Sequence, residues 1–339
     1  MNFETKVAVC IPTYNQSAYL IESVTSACRQ TYPNVEVWVS DDASTDETPA
    51  VLEALARDFP QLRYYRQPVN LNIAANNTWL LAQPDAEFIV RLDSDDVLEP
   101  QYVETLLNRI TADARIGYAH AAVQIIDENG RFLSVARLAR ASGIRTAEAA
   151  LREAVGGYRV AANICMFRAS ALRELDYYRG RPDFVEDYDL SVRLAAAAYS
   201  NVYEDTVLAR YRVWTDPKRT RSKRKALQLR GYVRIFDEAF EPAFRRLGWN
   251  TSPLRRRRRR LAVRHAAACF EPQYSEVERA ELVELLIGLA GGATLALRLR
   301  LFAVRRGFGW VFQVQRNAAM AIKSYLKNLL SRWRGKQLP

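Results

Sequence analysis

Three aspartates crowd into four positions in the stretch FIVRLDSDDVLEP, residues 88–100: Asp93, Asp95 and Asp96. Carboxylates that close repel one another, so such a cluster stands either in solvent or around a cation. Hard oxygen donors of this kind suit Mg2+ or Mn2+, which take few protein groups and complete their shell with substrate phosphate. A solvated acidic turn explains the same residues. A second pair, Asp41-Asp42, lies in SDDASTD, also a good turn and helix-cap sequence. A third group, Glu186, Asp187 and Asp189, opens EDYDLSVRL, residues 186–194. Crowded carboxylates can lift a neighbour's pKa toward the range of a general base. The plainer alternative is capping, since acidic residues are favoured at helix starts.

The elements around these groups alternate. KVAVCI (6–11) reads as a buried strand closed by Pro12, and Ser17 as the cap of a helix running to about Gln30, with Leu20, Val24 and Ala27 along one side. VEVWV (35–39) is the next strand. Asp46 to Phe59 is predicted helical, with Val51, Leu55 and Phe59 on one face, then LRYY (62–65) a strand, Ile73 to Leu81 a helix, and EFIVRL (87–92) a fourth strand. This pace indicates an α/β fold with a mostly parallel central sheet covered on both faces. In such folds ligands gather beyond the carboxyl ends of the strands. Both aspartate groups, 41–42 and 93/95/96, fall at such ends. Further on come a helix after Pro100, a strand near 117–126 running into the turn DENG (127–130), NICMFR (163–168), and a loop from Asp183 entering a helix to Leu194.

Taken together, these stretches resemble the GT-A, family-2 glycosyltransferases of the bacterial surface-polysaccharide type. The resemblance rests on VCIPTYN (9–15), VWVSDDASTD (37–46), NLNIAANN (70–77), RLDSDD (91–96) and EDYDLSVRL (186–194), in that order, and covers roughly residues 5–215. It implies that Pro12, Thr13 and Tyr14 wall the donor's base and ribose, and that Asp42, with Asp41 beside it, meets the base. It makes Asp93 and Asp95 the ends of a D-x-D motif around Ser94, with Asp95 touching a metal that bridges the donor's diphosphate. Asp187, flanked by Glu186, becomes the general base, and the reaction inverts the anomeric carbon. Arg91 could pair with phosphate or with the acidic cluster; Arg168 could line the acceptor side or serve the fold.

The chain also departs from that pattern. Asn72 and Asn76 stand where many relatives have a glycine and an arginine, and Trp214 stands where they often carry a histidine near the metal. The only histidines, His120 and His265, lie elsewhere and read as structural. That leaves Arg210, Arg212 or the cluster Lys218–Lys225 to meet the donor diphosphate, and strict metal dependence open.

Charge divides the chain. Residues 1–204 hold 19 Lys/Arg against 28 Asp/Glu, a net of −9; residues 205–339 hold 30 against 10, a net of +20. The division suggests two jobs: a catalytic domain over 1–215 and a basic, mainly helical region over 216–339. Residues 285–297 are thirteen uncharged, mostly apolar positions, short of the roughly 20 that span a bilayer. With the acid-free segment to residue 330 they suit helices lying in an anionic membrane surface, or ordinary packing onto the catalytic domain. Six consecutive arginines, Arg255–Arg260, invite a nucleic-acid reading, but no basic groove interleaved with aromatics, zinc pattern or recognition helix accompanies them. Cys10, Cys28, Cys165 and Cys269 have no paired spacing, which argues for reduced thiols, and the N-terminus shows no export pattern. The expectation is a cytoplasmic enzyme, peripheral on the inner membrane face, using a nucleotide sugar, Mn2+ or Mg2+, and a lipid-linked or surface-polysaccharide acceptor. A nucleotidyl transferase would also want carboxylates and a metal, though no glycine-rich phosphate loop follows the first strand. A non-catalytic membrane- or glycan-binding protein on the same scaffold is the third reading.

Overall fold

A computed structural model describes residues 4–181, 184–214 and 224–308. The apolar runs of the first hundred residues form four parallel strands, β1 (Val7–Thr13), β2 (Val35–Asp41), β3 (Leu62–Arg66) and β4 (Phe88–Arg91), side by side in the order β3-β2-β1-β4. The connections are helices α1 (Ser17–Cys28), α2 (Thr48–Asp58) and α3 (Ile73–Leu81). Past β4 the sheet continues through β9 (Cys165–Arg168), β6 (Ile116–Ile126), β10 (Ser200–Arg212) and the short β5 (Val97–Leu98). Strand β9 runs antiparallel to both neighbours, whereas β6 and β10 are parallel. Two strands pair at the side, β7 (Phe132–Ala136) with β6 and β8 (Gly143–Arg145) with β10.

Strand β1 shows how the sheet sorts its side chains. Val7, Val9 and Ile11 join a core with Leu20 of α1, Leu52 of α2 and Leu106 of α4 (Tyr102–Ile110). Ala8 and Cys10 face the other way, toward Leu80 and Leu81 of α3, Leu172 of α6 (Ala169–Glu174) and Leu190 of α7 (Glu186–Ala196). Alternate residues of a strand point to opposite faces, so a run apolar throughout is buried on both. Each valine, leucine or isoleucine among them contributes about 1.5–3 kcal/mol when fully buried.

Two helix starts differ from expectation. Ser17 is already helical; Gln16 holds the cap position without a side-chain cap, and the Ser17 N–H donates to Asp46 Oδ2 at 3.1 Å. Helix α2 begins at Thr48 because Asp46 stays outside, accepting from the Thr48 N–H at 3.0 Å. Asp46 thus serves two helix starts, its own and that of α1 across the loops.

By contact the chain divides into units 1–254 and 255–339, so the change in charge near 215 and the division of the fold do not coincide. In the first unit, Lys225–Arg234, a π-helical Ile235–Phe240 and Glu241–Arg246 form a helical run. There Phe236, Phe240, Phe244 and Trp249 pack in succession, and Phe240 meets Tyr188 of α7 at 6.2 Å between centroids. Aromatic burial therefore holds this stretch to the sheet domain despite its basic composition. In the second unit, Arg258 donates to the carbonyl of Leu289 near the carboxyl end of the helix Glu276–Ala290, where a cation offsets the helix dipole. Gly291, at φ 72°, ends that helix, and Leu295–Arg305 follows. Among the described residues no helix is long and apolar enough to cross a membrane, and the cysteines form no disulfide. Residues 309–339, including most of the acid-free segment, lie outside the described range.

Candidate active site

The loops beyond the strand ends enclose a cleft of about 820 Å³. Pro12, Thr13 and Tyr14 form one wall, Asp42 and the turn from Asn70 to Ile73 another, and Ser94 and Asp95 the floor, with Trp214 and Arg224 opposite. Asp42 is held by the turn it faces: its Oδ1 accepts from the Leu71 N–H at 2.6 Å, and its carbonyl accepts from Asn70 Nδ2 at 3.1 Å. Burial raises its pKa, opposed by the N–H groups of Leu71 and Asn72. Asn72 sits at φ 71°, ψ 160°, a region nearly reserved to glycine. An asparagine thus holds a glycine-like backbone geometry at this turn.

Asp41 goes elsewhere. It is fully buried, its Oδ1 accepts from the Ser44 N–H at 2.9 Å, its Oδ2 stands 3.5 Å from Arg66 Nε, and it does not line the cleft. Within the acidic turn, Asp96 is likewise buried and accepts from the Arg212 N–H at 2.8 Å. Burial, then the charges of Asp93 and Asp95, push its carboxyl well above the usual range. Asp95 is raised by burial and by Asp93, while a hydrogen bond from the Trp214 indole to its Oδ2, at 2.5 Å, acts the other way.

The donor set can be tested for a divalent cation. Among the described residues no three His, Cys, Asp or Glu side chains converge to hold a metal by themselves. Trp214 engages one oxygen of Asp95 and Arg91 engages one of Asp93, leaving each a second oxygen. One or two carboxylate oxygens plus substrate phosphate is how Mg2+ and Mn2+ bind at nucleotide sites. The residues fit that mode, in which the protein's share is small.

A second cavity of about 390 Å³ shares Ile73, Asp93, Phe184 and Arg224 with the cleft and is lined also by Asp187. Arg91, 5% exposed, joins two of its three carboxylates: Nη2 to Asp93 Oδ1 at 2.6 Å and Nη1 to Asp187 Oδ1 at 3.1 Å. In this structure its guanidinium is engaged by these acidic groups. The Tyr178 hydroxyl donates to the same Asp187 oxygen at 2.8 Å. Burial raises the Asp187 pKa, and Arg91 opposes it. Glu186, whose pKa burial also raises, accepts from the N–H of Phe184, in the loop before the helix, at 3.1 Å while lining the cavity. Asp189 turns away to Arg193 at 2.6 Å.

The structure thus brings Pro12, Thr13, Tyr14, Asp42, Ser94 and Asp95 to the cleft, Arg91, Glu186 and Asp187 to the second cavity, and Asp93 to both. Of the two arginines proposed for the diphosphate, Arg212 lines the cleft and Arg210 does not, and both are engaged by protein groups. Arg210 pairs with Glu22 and Glu99, and Arg212 is consumed by Glu22 and the carbonyls of Asp95, Asp127 and Glu128. From the basic cluster Arg224 reaches the cleft; 218–223 lie outside the described residues. Arg168 serves the fold, donating to the carbonyls of Ile110, Asp113 and Ile116. Tyr178 and Phe184 went unnoticed in the sequence, where nothing separates them from core aromatics.

A largely parallel sheet with a carboxylate-lined cleft beyond its strand ends defines a GT-A-type nucleotide-sugar transferase fold. The sequence profile of Glycosyl transferase family 2 matches residues 8–176, and the chain belongs to that family. Over 128 residues it is 34% identical to the chondroitin synthase of Escherichia coli, covering 38% of this chain and 18% of that one. Over 189 residues it is 29% identical to the hyaluronan synthase of Pasteurella multocida, covering 56% and 18%. The match thus spans under a fifth of those synthases. Among solved structures, S. aureus TarS 1–349 superimposes with a TM-score of 0.62 at 19% identity, over 93% of this chain and 92% of that one. The mannosyltransferase PcManGT of Pyrobaculum calidifontis, solved with GDP-Man and Mn2+, gives 0.53 at 20% identity, over 96% and 87%. At those identities the likeness establishes the fold.

Proposed function

We propose that the protein moves a sugar from a nucleotide-diphosphate donor to a hydroxyl of a lipid-linked or surface-polysaccharide acceptor, with inversion. The observation that carries this is the shared lining of the two cavities: a nucleotide-sized cleft shares Asp93 with a smaller chamber that Asp187 lines. In this reading Pro12, Thr13, Tyr14 and Asp42 hold the nucleoside, and Arg224 faces the diphosphate. A divalent cation on Asp95, with Asp93 beside it, would neutralise the charge that builds on the departing diphosphate. Arg91 and Tyr178 fix one oxygen of Asp187, leaving the other to take the proton of the acceptor hydroxyl. The hydroxyl oxygen then bonds to the anomeric carbon as the bond to the diphosphate breaks, and the nucleoside diphosphate leaves with the electron pair. One displacement with no second nucleophile inverts the centre. The synthases matched in sequence favour a polysaccharide acceptor over a small metabolite.

Two measurements test this. Calorimetric titration with UDP, GDP and dTDP, each with Mn2+ and with EDTA, identifies the nucleotide; no binding to folded protein sinks the donor-site reading. With the matching nucleotide sugar and a membrane extract as acceptor source, Asp187→Asn is expected to retain nucleotide binding while transfer falls by about 10²–10⁴-fold. Unchanged transfer would remove Asp187 from the base role.

We propose further that the second unit rests on an anionic membrane surface. Leu295, Leu299 and Phe302 are exposed at i, i+4 and i+7 of one helix, with Arg298, Arg305 and Arg306 exposed around them.

A further inference from the structure

Trp214 lies just beyond β10, and its indole N–H donates to Asp95 Oδ2 at 2.5 Å. The ring is braced: it meets Tyr19 of α1 edge to face, with centroids 4.7 Å apart, and the Arg212 guanidinium lies 4.7 Å over the same tyrosine. Arg212, its side chain 2% exposed, is itself tied to Glu22 at 2.8 Å. It also holds the main chain of the acidic turn, its Nε donating to the Asp95 carbonyl and its N–H to Asp96 Oδ1, both at 2.8 Å. Two residues at one strand end therefore fix Asp95 twice, Arg212 by its backbone and Trp214 by its carboxylate. An indole is a donor only, so Trp214 offers no lone pair to a cation. What it can do is engage one carboxylate oxygen and set the direction of the other.

We propose that Trp214 is a positioning residue that presents Asp95 to a divalent cation through a single oxygen, so that the cation binds well only together with the nucleotide diphosphate. This rests on the reading of Asp95 as a cation ligand. With one oxygen from Asp95 and no cluster of three ligands among the described residues, most of the cation's shell must come from phosphate and water. By linkage, nucleotide and cation then tighten each other's binding by the same factor. Hydrogen bonds that orient a metal ligand are typically worth about 10–100-fold in metal affinity.

The test uses the full chain and the nucleoside diphosphate that binds it, with Mn2+ followed by the spin-resonance signal of the free ion. Trp214→Phe keeps a ring against Tyr19 and removes only the N–H. It is expected to weaken Mn2+ binding in the presence of nucleotide by about tenfold or more, a larger loss than any change in nucleotide binding measured in EDTA. Tyr19→Leu keeps the indole but removes its brace, and a smaller loss in the same direction is expected even if Trp214→Phe folds poorly. Equal Mn2+ affinity in Trp214→Phe overturns the proposal. So does tighter binding, which would mean that the indole masks Asp95. A wild type that binds nucleotide equally with Mn2+ and EDTA overturns it too, with the donor site intact. A wild type that binds no nucleotide removes the donor-site reading and this inference with it.

Discussion

Adjacent acidic residues in this protein have unlike fates, and the reason is strand geometry. Asp41 is the last residue of β2 and spends its carboxylate on the turn; Asp42, one step on, faces the cleft. Side chains alternate along an extended chain, so a pair that reads as one feature in sequence splits in space. Asp42, Asp93, Asp95 and Asp187 were legible because their motifs sit at strand or helix ends. The partners of Asp187 and Asp95 were not, because Tyr178 and Trp214 reach them across 9 and 119 positions of sequence. His120 shows the opposite case, a residue rightly read as structural. It is fully buried beside Tyr118 and Tyr203, and burial, helped by the charge of Arg140, lowers its pKa from 6.5 to about 3. The folded state therefore refuses a proton that the unfolded chain accepts below pH 6.5. Its contribution is constant above that pH, and stability is lost as pH falls toward 3. Between pH 7 and pH 5 the cost is about 2 kcal/mol. Denaturant titrations at both pH values should show the wild type losing about that much more than His120→Phe. Parallel losses would mean that His120 is charged when folded.

Among the elements, the parallel half of the sheet was legible because strands buried on both faces are written as unbroken apolar runs, as in VAVCIPT of β1. The side strands β7 and β8 were not, being short and mostly exposed. The helical run from Lys225 reads in the sequence as part of a basic tail, yet its Phe240 packs on Tyr188 of α7. Helix α3 depends on a polar lock that periodicity does not reveal. Asn76, 2% exposed, accepts from the Ser40 hydroxyl at 2.5 Å and donates to the Ser40 carbonyl at 3.2 Å, while Gln67 donates to the same hydroxyl at 3.1 Å. The lock pins to β2 the helix that carries Ile73 and Asn77 to the cavities. Asn76→Ala strands Ser40 without its partner, a loss of about 1–3 kcal/mol. The denaturant midpoint should fall with m unchanged, and nucleotide affinity should fall with it. A change near zero would show that Leu80 and Leu81 alone seat the helix.

At the scale of the whole molecule, the acidic front and basic back of the sequence call for different surroundings. The front places Asp42, Asp93, Asp95, Glu186 and Asp187 at the two cavities. Beyond Glu284 there is no acidic residue in the chain, and the helix Leu295–Arg305 leaves Leu295, Leu299 and Phe302 exposed by 72%, 57% and 60%. Apolar side chains ringed by arginine match the boundary of an anionic bilayer, where the chains enter the acyl region and the guanidinium groups stay with the headgroups. Burying a leucine or phenylalanine is worth about 1.5–3 kcal/mol, so removing two should lower partitioning on the order of a hundredfold. Sedimentation of the full chain with vesicles is the direct measurement. Binding should require anionic lipid, weaken with added salt, and fall by that factor in Leu299→Glu/Phe302→Glu with nucleotide affinity unchanged. Equal binding to neutral vesicles would leave the arginines without a role. No binding to either would assign this face to something other than a membrane, and with it the peripheral placement of the enzyme would fall.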